Sequence, residues 1–247
     1  MQKVQGKFWR DDTTLMDKLL ILFDIDWTLL AGGLPEHIDG FSYAWKSVLG
    51  IDAKLSDWPD HHGQPDVVLL AKVPELCHEI KKEVINEKIG DLKQAKIEYF
   101  FAHAQKDYHK YILPGVVDLL FTLSQKNIPL AIKSGNLEKI GMYRLKSCEL
   151  ESYFTTGGWG DNVSSKAESI EIAIGNAEKI LGRKFFKENI YDVGDSKYDM
   201  DADKKANIHP IGVCSGYDKR DVLEKAGAEF ILDSLKEKEV FLKIIQK

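Results

Sequence analysis

Short apolar runs recur along the chain and alternate with longer segments that have helical periodicity. The runs lie at Leu19 to Phe23, Ile128 to Lys133, Asn189 to Gly194, His209 to Cys214 and Glu229 to Asp233. Turn residues bound these runs and their polarity does not alternate strictly, so the pattern predicts strands that are buried on both faces of a sheet. Strands that alternate with helices predict an α/β fold, with a parallel sheet and right-handed crossovers.

Helical spacing of apolar residues appears in three segments between these strands and in one at the C-terminus. They read GVVDLLFTLSQKN, NLEKIGMYRLKSCEL, KAESIEIAIGNAEKILG and LKEKEVFLKIIQK. The third follows Ser165 with Glu168 three positions on, which is the spacing of a capping box, and it ends at Gly182, a predicted C-cap.

One long region lacks any convincing buried strand, between about Ala31 and Ile112. Its apolar spacing predicts helices, and Pro114 and Gly115 mark the return to the sheet. We therefore predict a Rossmann-like core of residues 17–31 and 113–247 with a helical insert of residues 32–112. The pattern leaves open whether the insert only packs or covers the end of the first strand as a lid.

Composition is ordinary for a soluble globular protein. The 247 residues are 44% hydrophobic and 30% charged, and the net charge of −5 gives no general attraction to nucleic acid or to an anionic membrane. The three cysteines are far apart, which favours neither a disulfide framework nor a zinc cluster and suits a reducing, cytoplasmic location. The polar N-terminus predicts no signal peptide, and the short apolar runs predict no membrane-spanning helix.

Polar side chains follow three of the predicted strands. Asp24 and Asp26 follow the first, Ser134 follows the second, and Asp195 follows the third with Asp199 four residues later. Each such residue could simply cap the following helix. Because parallel sheets bind ligands at the carboxyl ends of their strands, three such ends favour one shared site.

Clustered carboxylates without clustered cysteine or histidine indicate a hard cation, with Mg²⁺ the default and Mn²⁺ open. A carboxylate can attack phosphorus, and a second acid nearby can protonate the leaving oxygen and then activate water. A lysine would offset the charge of the transferring group, and Lys166 is the candidate, with Lys184 second because it lies beyond Gly182.

Together these motifs resemble the haloacid dehalogenase (HAD) superfamily. FDIDWTLL resembles its first motif, AIKSGN its second, and VGDSKYDMDADKKAN its fourth, in the family's order between Leu19 and about Leu235. The resemblance implies that Asp24 is the nucleophile and Asp26 the general acid/base. It also implies a Mg²⁺ site of Asp24, Asp195 and the backbone carbonyl of Asp26, with Asp199 supporting the metal's water shell or the lysine.

The resemblance also implies how the phosphoryl group is bound. Ser134 and Lys166 would contact it, Gly135 and Asn136 would add a backbone donor and a side-chain contact, and Thr28 would orient the first loop. The insert would be the family's helical cap of the first type. One departure is Trp27, which stands where the family usually has glycine.

Within the family, Asp26 argues for phosphate esters rather than dehalogenation or phosphonate cleavage. Two stretches after Pro114 resemble phosphoglycolate phosphatases, and Gly63, Gln64 and Asp66 resemble a cap turn of that branch that binds substrate. We predict a Mg²⁺-dependent phosphatase that acts on a small phosphorylated metabolite, as a monomer or homodimer. The alternatives are a sugar phosphomutase similar to β-phosphoglucomutase and an inactive binding protein.

The adjacent His61 and His62 lie in the same predicted cap loop. They could be pocket residues or metal ligands. The sequence favours an exposed polar loop instead, because neighbouring side chains on one loop seldom share a metal.

Overall fold

Six parallel strands form a single sheet in the computed structural model, which describes residues 18–246. The strands are β1 (Leu20–Phe23), β2 (Leu130–Lys133), β3 (Thr156–Gly158), β4 (Ile190–Gly194), β5 (His209–Val213) and β6 (Phe230–Leu232). Their order across the sheet is β3-β2-β1-β4-β5-β6. The predicted α/β class is confirmed, and each of the five predicted strands lies within two residues of its predicted bounds.

Strand β3 was not predicted from the sequence. It has three residues, two of them glycine, and it forms by pairing with β2 rather than by its own propensity. A Cβ at Gly158 would lie 1.8 Å from a backbone oxygen of the following helix, so this close contact requires glycine.

Nine helices surround or extend this sheet within the described residues. They are α1 (Pro35–Leu49), α2 (Asp66–Cys77), α3 (Lys82–His103), α4 (Val116–Gln125), α5 (Glu138–Lys146), α6 (Lys166–Leu181), α7 (Lys197–Ala206), α8 (Arg220–Ala226) and α9 (Lys238–Ile244). From residue 18 to residue 246, no helix is both long enough and apolar enough to cross a membrane.

The start of α6 differs in detail from the predicted capping box. Ser165 accepts a hydrogen bond from the backbone N–H of Glu168, as expected. The Glu168 carboxylate, however, accepts from the backbone and hydroxyl of Ser164 rather than from Ser165. The helix ends as predicted at Gly182, whose φ of 66° is in the left-handed region.

Apolar side chains pack on both faces of the sheet, as the unbroken apolar runs predict. In β1, Ile21 and Phe23 face one apolar cluster and Leu20 and Leu22 face the other. Helices α1 to α3 have a further cluster of their own around Trp45. The chain passes between these parts where Leu30 pairs with Ile112; the division into two domains at residues 31 and 113 stays a prediction.

Candidate active site

The sheet register brings three strand ends together. Phe23 of β1 lies opposite Ile132 of β2 and Val193 of β4, so the residues that follow these three strands sit side by side. A cavity of about 380 Å³ opens above them. From the core it is lined by Asp24, Asp26, Ser134, Gly135, Asn136, Lys166 and Asp195, and from the insert by residues that include Gly63 and Gln64.

Three buried carboxylates form a compact cluster, two of which, Asp24 and Asp195, line this cavity. Oxygen atoms of Asp24, Asp195 and Asp199 lie within 4.8 Å of one another. Burial, together with the charges of Asp199 and Asp24, raises the pKa of Asp195 to about 8. Burial also raises the pKa of Asp24, although Lys166 opposes that shift. Carboxylates that resist ionisation together, in an all-oxygen donor set, fit a hard divalent cation such as Mg²⁺.

Lys166 lies between the nucleophile candidate and Asp199. Its Nζ is 3.0 Å from Asp24 Oδ2 and 2.7 Å from Asp199 Oδ1. The other lysine considered from the sequence, Lys184, is exposed and pairs with Glu178 on the same surface. The position predicted for the basic residue is therefore occupied by Lys166, at the start of α6.

Asp199 is already surrounded by donors. One of its oxygens accepts from Lys133 and Lys166, and the other accepts from the Ser196 hydroxyl at the start of α7. The two lysines hold the pKa of Asp199 well below its usual range, although burial acts in the opposite direction. This geometry suits a carboxylate that orients Lys166, while direct binding of a metal by Asp199 stays a prediction.

Lys133 was missed by the sequence analysis because it ends an apolar strand. It is 0% exposed, with its Nζ 2.9 Å from Asp192 and bound to Asp199 on the other side. These two carboxylates raise the pKa of Lys133 against the effect of burial. The Asp203 carboxyl faces Asp192, and burial together with that neighbour raises the pKa of Asp203 well above its usual range.

Asp26 is held by two side chains from the segment after β2. Asn136 Nδ2 donates to one carboxylate oxygen over 2.7 Å, and Arg144 Nη2 donates to the other over 2.8 Å. Although burial favours the protonated form, Arg144 lowers the pKa of Asp26. Arg144 was also missed; a charged residue on the buried side of a helical pattern was the available signal. The same guanidinium donates to the carbonyl of Ala31, the residue before the predicted insert.

The predicted phosphate-binding residues take two different positions. Ser134 Oγ accepts from the backbone and the side chain of Asn136, which leaves its own hydroxyl hydrogen free to donate to a ligand. Gly135 comes so close to the insert that a Cβ there would lie 3.3 Å from Gln64 and Pro65 backbone atoms. Thr28 is fully buried, donates to Asp195 and does not line the cavity, so this geometry supports a loop-holding role and not contact with the phosphate.

The insert contacts the core through the loop that begins α2. Gly63, with a φ of 69°, packs against Tyr198, where a Cβ would lie 2.4 Å from the ring. The backbone N–H of Asp66 donates to Gly135, and its carboxylate accepts from the backbone N–H of Leu137. Lys96 and His37 hold the pKa of Asp66 well below its usual range, although burial acts in the opposite direction.

Trp27 adopts a left-handed conformation with a φ of 60°. A residue with a side chain is strained by about 1 kcal/mol in this region, which explains why glycine suits the position. The indole packs on Gly32, where a Cβ would lie 2.5 Å from it, and the side chain is 38% exposed beside the cavity. Trp27 thus combines a backbone conformation that favours glycine with an aromatic ring at the cavity.

Both loop histidines line the cavity, and His62 is also exposed, as the sequence favoured, whereas His61 is half-buried. Their ring centres are 4.0 Å apart, and the ring of His62 lies 5.0 Å from that of Tyr217. Within residues 18–246, the acidic cluster is the group found with metal-binding geometry, and neither histidine belongs to it.

Comparison with known proteins gives a family and a set of relatives. The model of the haloacid dehalogenase-like hydrolase family matches residues 21–213. A phosphorylated carbohydrates phosphatase of Thermotoga maritima is 25% identical over 229 residues, which cover 88% of this chain and 98% of that protein. A phosphoglycolate phosphatase of Salmonella choleraesuis is 25% identical over 239 residues, which cover 89% and 92%.

Solved structures show the same fold. A β-phosphoglucomutase from Clostridium difficile aligns with a TM-score of 0.66 at 17% identity and covers 93% of this chain and 96% of its own. At this level of identity the likeness concerns the fold.

Proposed function

The chain belongs to the haloacid dehalogenase-like hydrolase family, and we propose that it hydrolyses a small phosphomonoester through an aspartyl-phosphate on Asp24. The observation that carries this proposal is the placement of Asp24 and Asp26 at one cavity, with Lys166 bound to Asp24. The loop after β1 thereby supplies a nucleophile and an acid/base group, and the start of α6 supplies a cation for the transferring charge.

In the proposed first step, a carboxylate oxygen of Asp24 bonds to phosphorus while the bond to the ester oxygen breaks. Asp26 gives its proton to that oxygen, and the alcohol leaves. The free protein favours ionised Asp26, but an arriving phosphate places negative charge beside it and favours its protonation. Lys166 and the Ser134 hydroxyl donate to the phosphoryl oxygens.

In the proposed second step, Asp26 takes a proton from water, whose oxygen bonds to phosphorus as the bond to Asp24 breaks. Inorganic phosphate leaves and Asp24 returns to its starting state. Asp24 and Asp195, with the backbone carbonyl of Asp26, would hold Mg²⁺, which when bound offsets the charge of the carboxylates and the phosphoryl group. The insert would open to admit substrate and close to exclude bulk water.

The names of the two relatives support a phosphatase and differ in substrate. The test is phosphate release from a panel of phosphomonoesters with Mg²⁺, including p-nitrophenyl phosphate, for the wild type and Asp24→Asn. We expect release by the wild type and a loss of at least about a thousandfold in the variant. The control is Asp118→Asn, which should keep full activity. Asp118 is exposed on α4 and pairs with Lys238.

Three outcomes would contradict this function. Substantial activity in Asp24→Asn would remove the nucleophile assignment. Isomerisation of a sugar phosphate without net release of phosphate would identify a phosphomutase. The absence of release from every ester would favour an inactive binding protein.

A further inference from the structure

The cavity extends beyond the reacting groups into the insert, and this outer half combines aromatic and apolar side chains with a few polar ones. Tyr217 and Trp27 line it from the core, and His62, Ile38 and Phe41 line it from the insert. The whole cavity measures about 380 Å³, which is within the range of sites that hold ligands larger than a two-carbon acid. A substrate with a very small leaving group would leave most of these walls without contact.

The outer half has few groups that could bind a second anion. Among the cavity-lining residues that the structure describes, Lys166 is the one lysine and there is no arginine, and Lys166 is engaged at the reacting centre. Lys197 is exposed and does not line the cavity; its ammonium group lies 5.0 Å from the centre of the Tyr198 ring.

The insert does contain a buried cation near the cavity, but its charge is already compensated. Lys96 is 0% exposed, with its Nζ 3.1 Å from Asp66 Oδ2 and 4.1 Å from the centre of the Phe41 ring. His37 contacts the other Asp66 oxygen over 3.5 Å. The group that this cluster presents to the cavity is therefore a carboxylate flanked by an imidazole. Burial and the neighbouring His61 lower the pKa of His62, which favours its neutral form.

We infer that the leaving group of the substrate is an uncharged, hydroxylated ring, so that the substrate is a monosaccharide monophosphate. This inference rests on the proposed phosphatase function and goes beyond it by naming the substrate class. The C–H face of a sugar packs well on the electron-rich faces of aromatic rings, and Gln64, His37 and Asp66 provide hydrogen-bonding groups for hydroxyls.

A second carboxylate on the substrate is disfavoured by the same geometry. It would lose water on entering the outer half, meet aromatic walls and lie near Asp66, whose own cation Lys96 is already paired with it. Phosphoglycolate, the substrate type that the sequence suggested, has such a carboxylate.

The first experiment measures kcat/KM for glucose 6-phosphate, ribose 5-phosphate, adenosine monophosphate and 2-phosphoglycolate, with p-nitrophenyl phosphate as a generic ester. We expect at least one sugar phosphate to exceed 2-phosphoglycolate by about tenfold or more. If the generic ester is hydrolysed but 2-phosphoglycolate or the nucleotide is preferred, the inference is wrong and the phosphatase function stands.

Binding separates the two failures when no ester is hydrolysed. Calorimetric titration of Asp24→Asn with glucose 6-phosphate, ribose 5-phosphate and 2-phosphoglycolate reports the preference of the outer half without turnover. Tighter binding of a sugar phosphate supports the inference even if the proposed function fails. Equal or tighter binding of 2-phosphoglycolate overturns it.

A side-chain variant tests the aromatic wall itself. Tyr217→Ala removes the ring but keeps the backbone N–H that donates to Asp195. We expect a fall of about threefold to tenfold in kcat/KM for sugar phosphates, mainly through KM, because an aromatic contact is lost. Tyr217→Phe should recover kcat/KM for sugar phosphates. Inhibition of Tyr217→Ala by inorganic phosphate should stay unchanged. Tyr43→Ala, away from the cavity, should have no effect on the kinetics. Unchanged sugar-phosphate kinetics in Tyr217→Ala would overturn the inference.

Discussion

Replacing Lys133 with methionine should destabilise the protein through the carboxylates that it leaves behind. Lys133 has no exposed surface and contacts Asp192 and Asp199, which are also fully buried. Asp199 retains Lys166 and Ser196 as donors after the substitution. The main cost therefore falls on Asp192, which would face the carboxyl of Asp203 without a cation.

The size of the loss follows from the two choices open to an uncompensated carboxylate. Removing one member of a buried ion pair typically costs about 3–5 kcal/mol. The alternative is to take up a proton, and at pH 7 this costs about 4 kcal/mol for a carboxyl with an ordinary pKa near 3.9. We therefore expect Lys133→Met to lower the free energy of unfolding by about 3–4 kcal/mol at pH 7.

The pH dependence gives this prediction a definite sign. If the variant buries a protonated carboxyl, its folded state binds more protons than its unfolded state, so its stability relative to the wild type rises as the pH falls. The deficit should shrink by about 3 kcal/mol, to about 1 kcal/mol or less at pH 5, because each pH unit contributes about 1.4 kcal/mol. This difference in the free energy of unfolding is measured by urea unfolding at both pH values, monitored by tryptophan fluorescence and circular dichroism.

Two further variants control for other causes. Asp192→Asn in the Lys133→Met background should recover more than half of the lost stability, since it removes the stranded charge. Lys46→Met breaks an exposed pair with Asp52 and should cost less than about 1 kcal/mol. A loss below about 1 kcal/mol at pH 7 in Lys133→Met would refute the reasoning. So would a loss that is equal at both pH values and is not recovered by Asp192→Asn.

Three other predictions concern the site directly. Lys166→Met should reduce kcat/KM, measured by phosphate release, by about a hundredfold to a thousandfold. Lys184→Met, in the exposed turn after α6, should leave kcat/KM unchanged. Arg144→Met should reduce kcat at least about tenfold by releasing Asp26 from its position, and Arg144→Lys should recover part of it. The pKa of Asp195 is raised to about 8, so this carboxyl is largely protonated at pH 7 in the metal-free protein. Binding of Mg²⁺ should therefore release about one proton, and its affinity should increase as the pH rises from 6 to 8. Calorimetry in buffers of different ionisation enthalpy measures this release, and a heat that is independent of buffer would contradict it.

The sequence was most informative where function and local structure share one signal. Asp24, Ser134 and Asp195 each follow an apolar run, so strand prediction alone placed them at one edge of a sheet. The helical insert was equally visible, since apolar spacing and the absence of strand-like runs both depend on residues near one another in the chain.

Long-range partners were not visible in the same way. Arg144 and Asp26 are separated by 118 positions, and Lys133 and Asp199 by 66, so nothing in the local pattern connects them. A buried lysine at the end of an apolar strand looks like the last residue of that strand. Strand β3 was missed for a related reason, because its pairing with β2 compensates for a composition that disfavours strands.

The structure separates the proposed chemistry from the proposed choice of substrate. The charged groups alternate in sign from Asp192 through Lys133, Asp199 and Lys166 to Asp24, and they are held by strands and by the starts of helices. Each inner member neutralises two neighbours, so its loss should reduce stability and activity together. The aromatic side chains of the outer cavity come from loops and from the insert, where substitutions perturb little of the core. Changes there should therefore alter which phosphate ester is accepted while leaving the reaction at Asp24 intact.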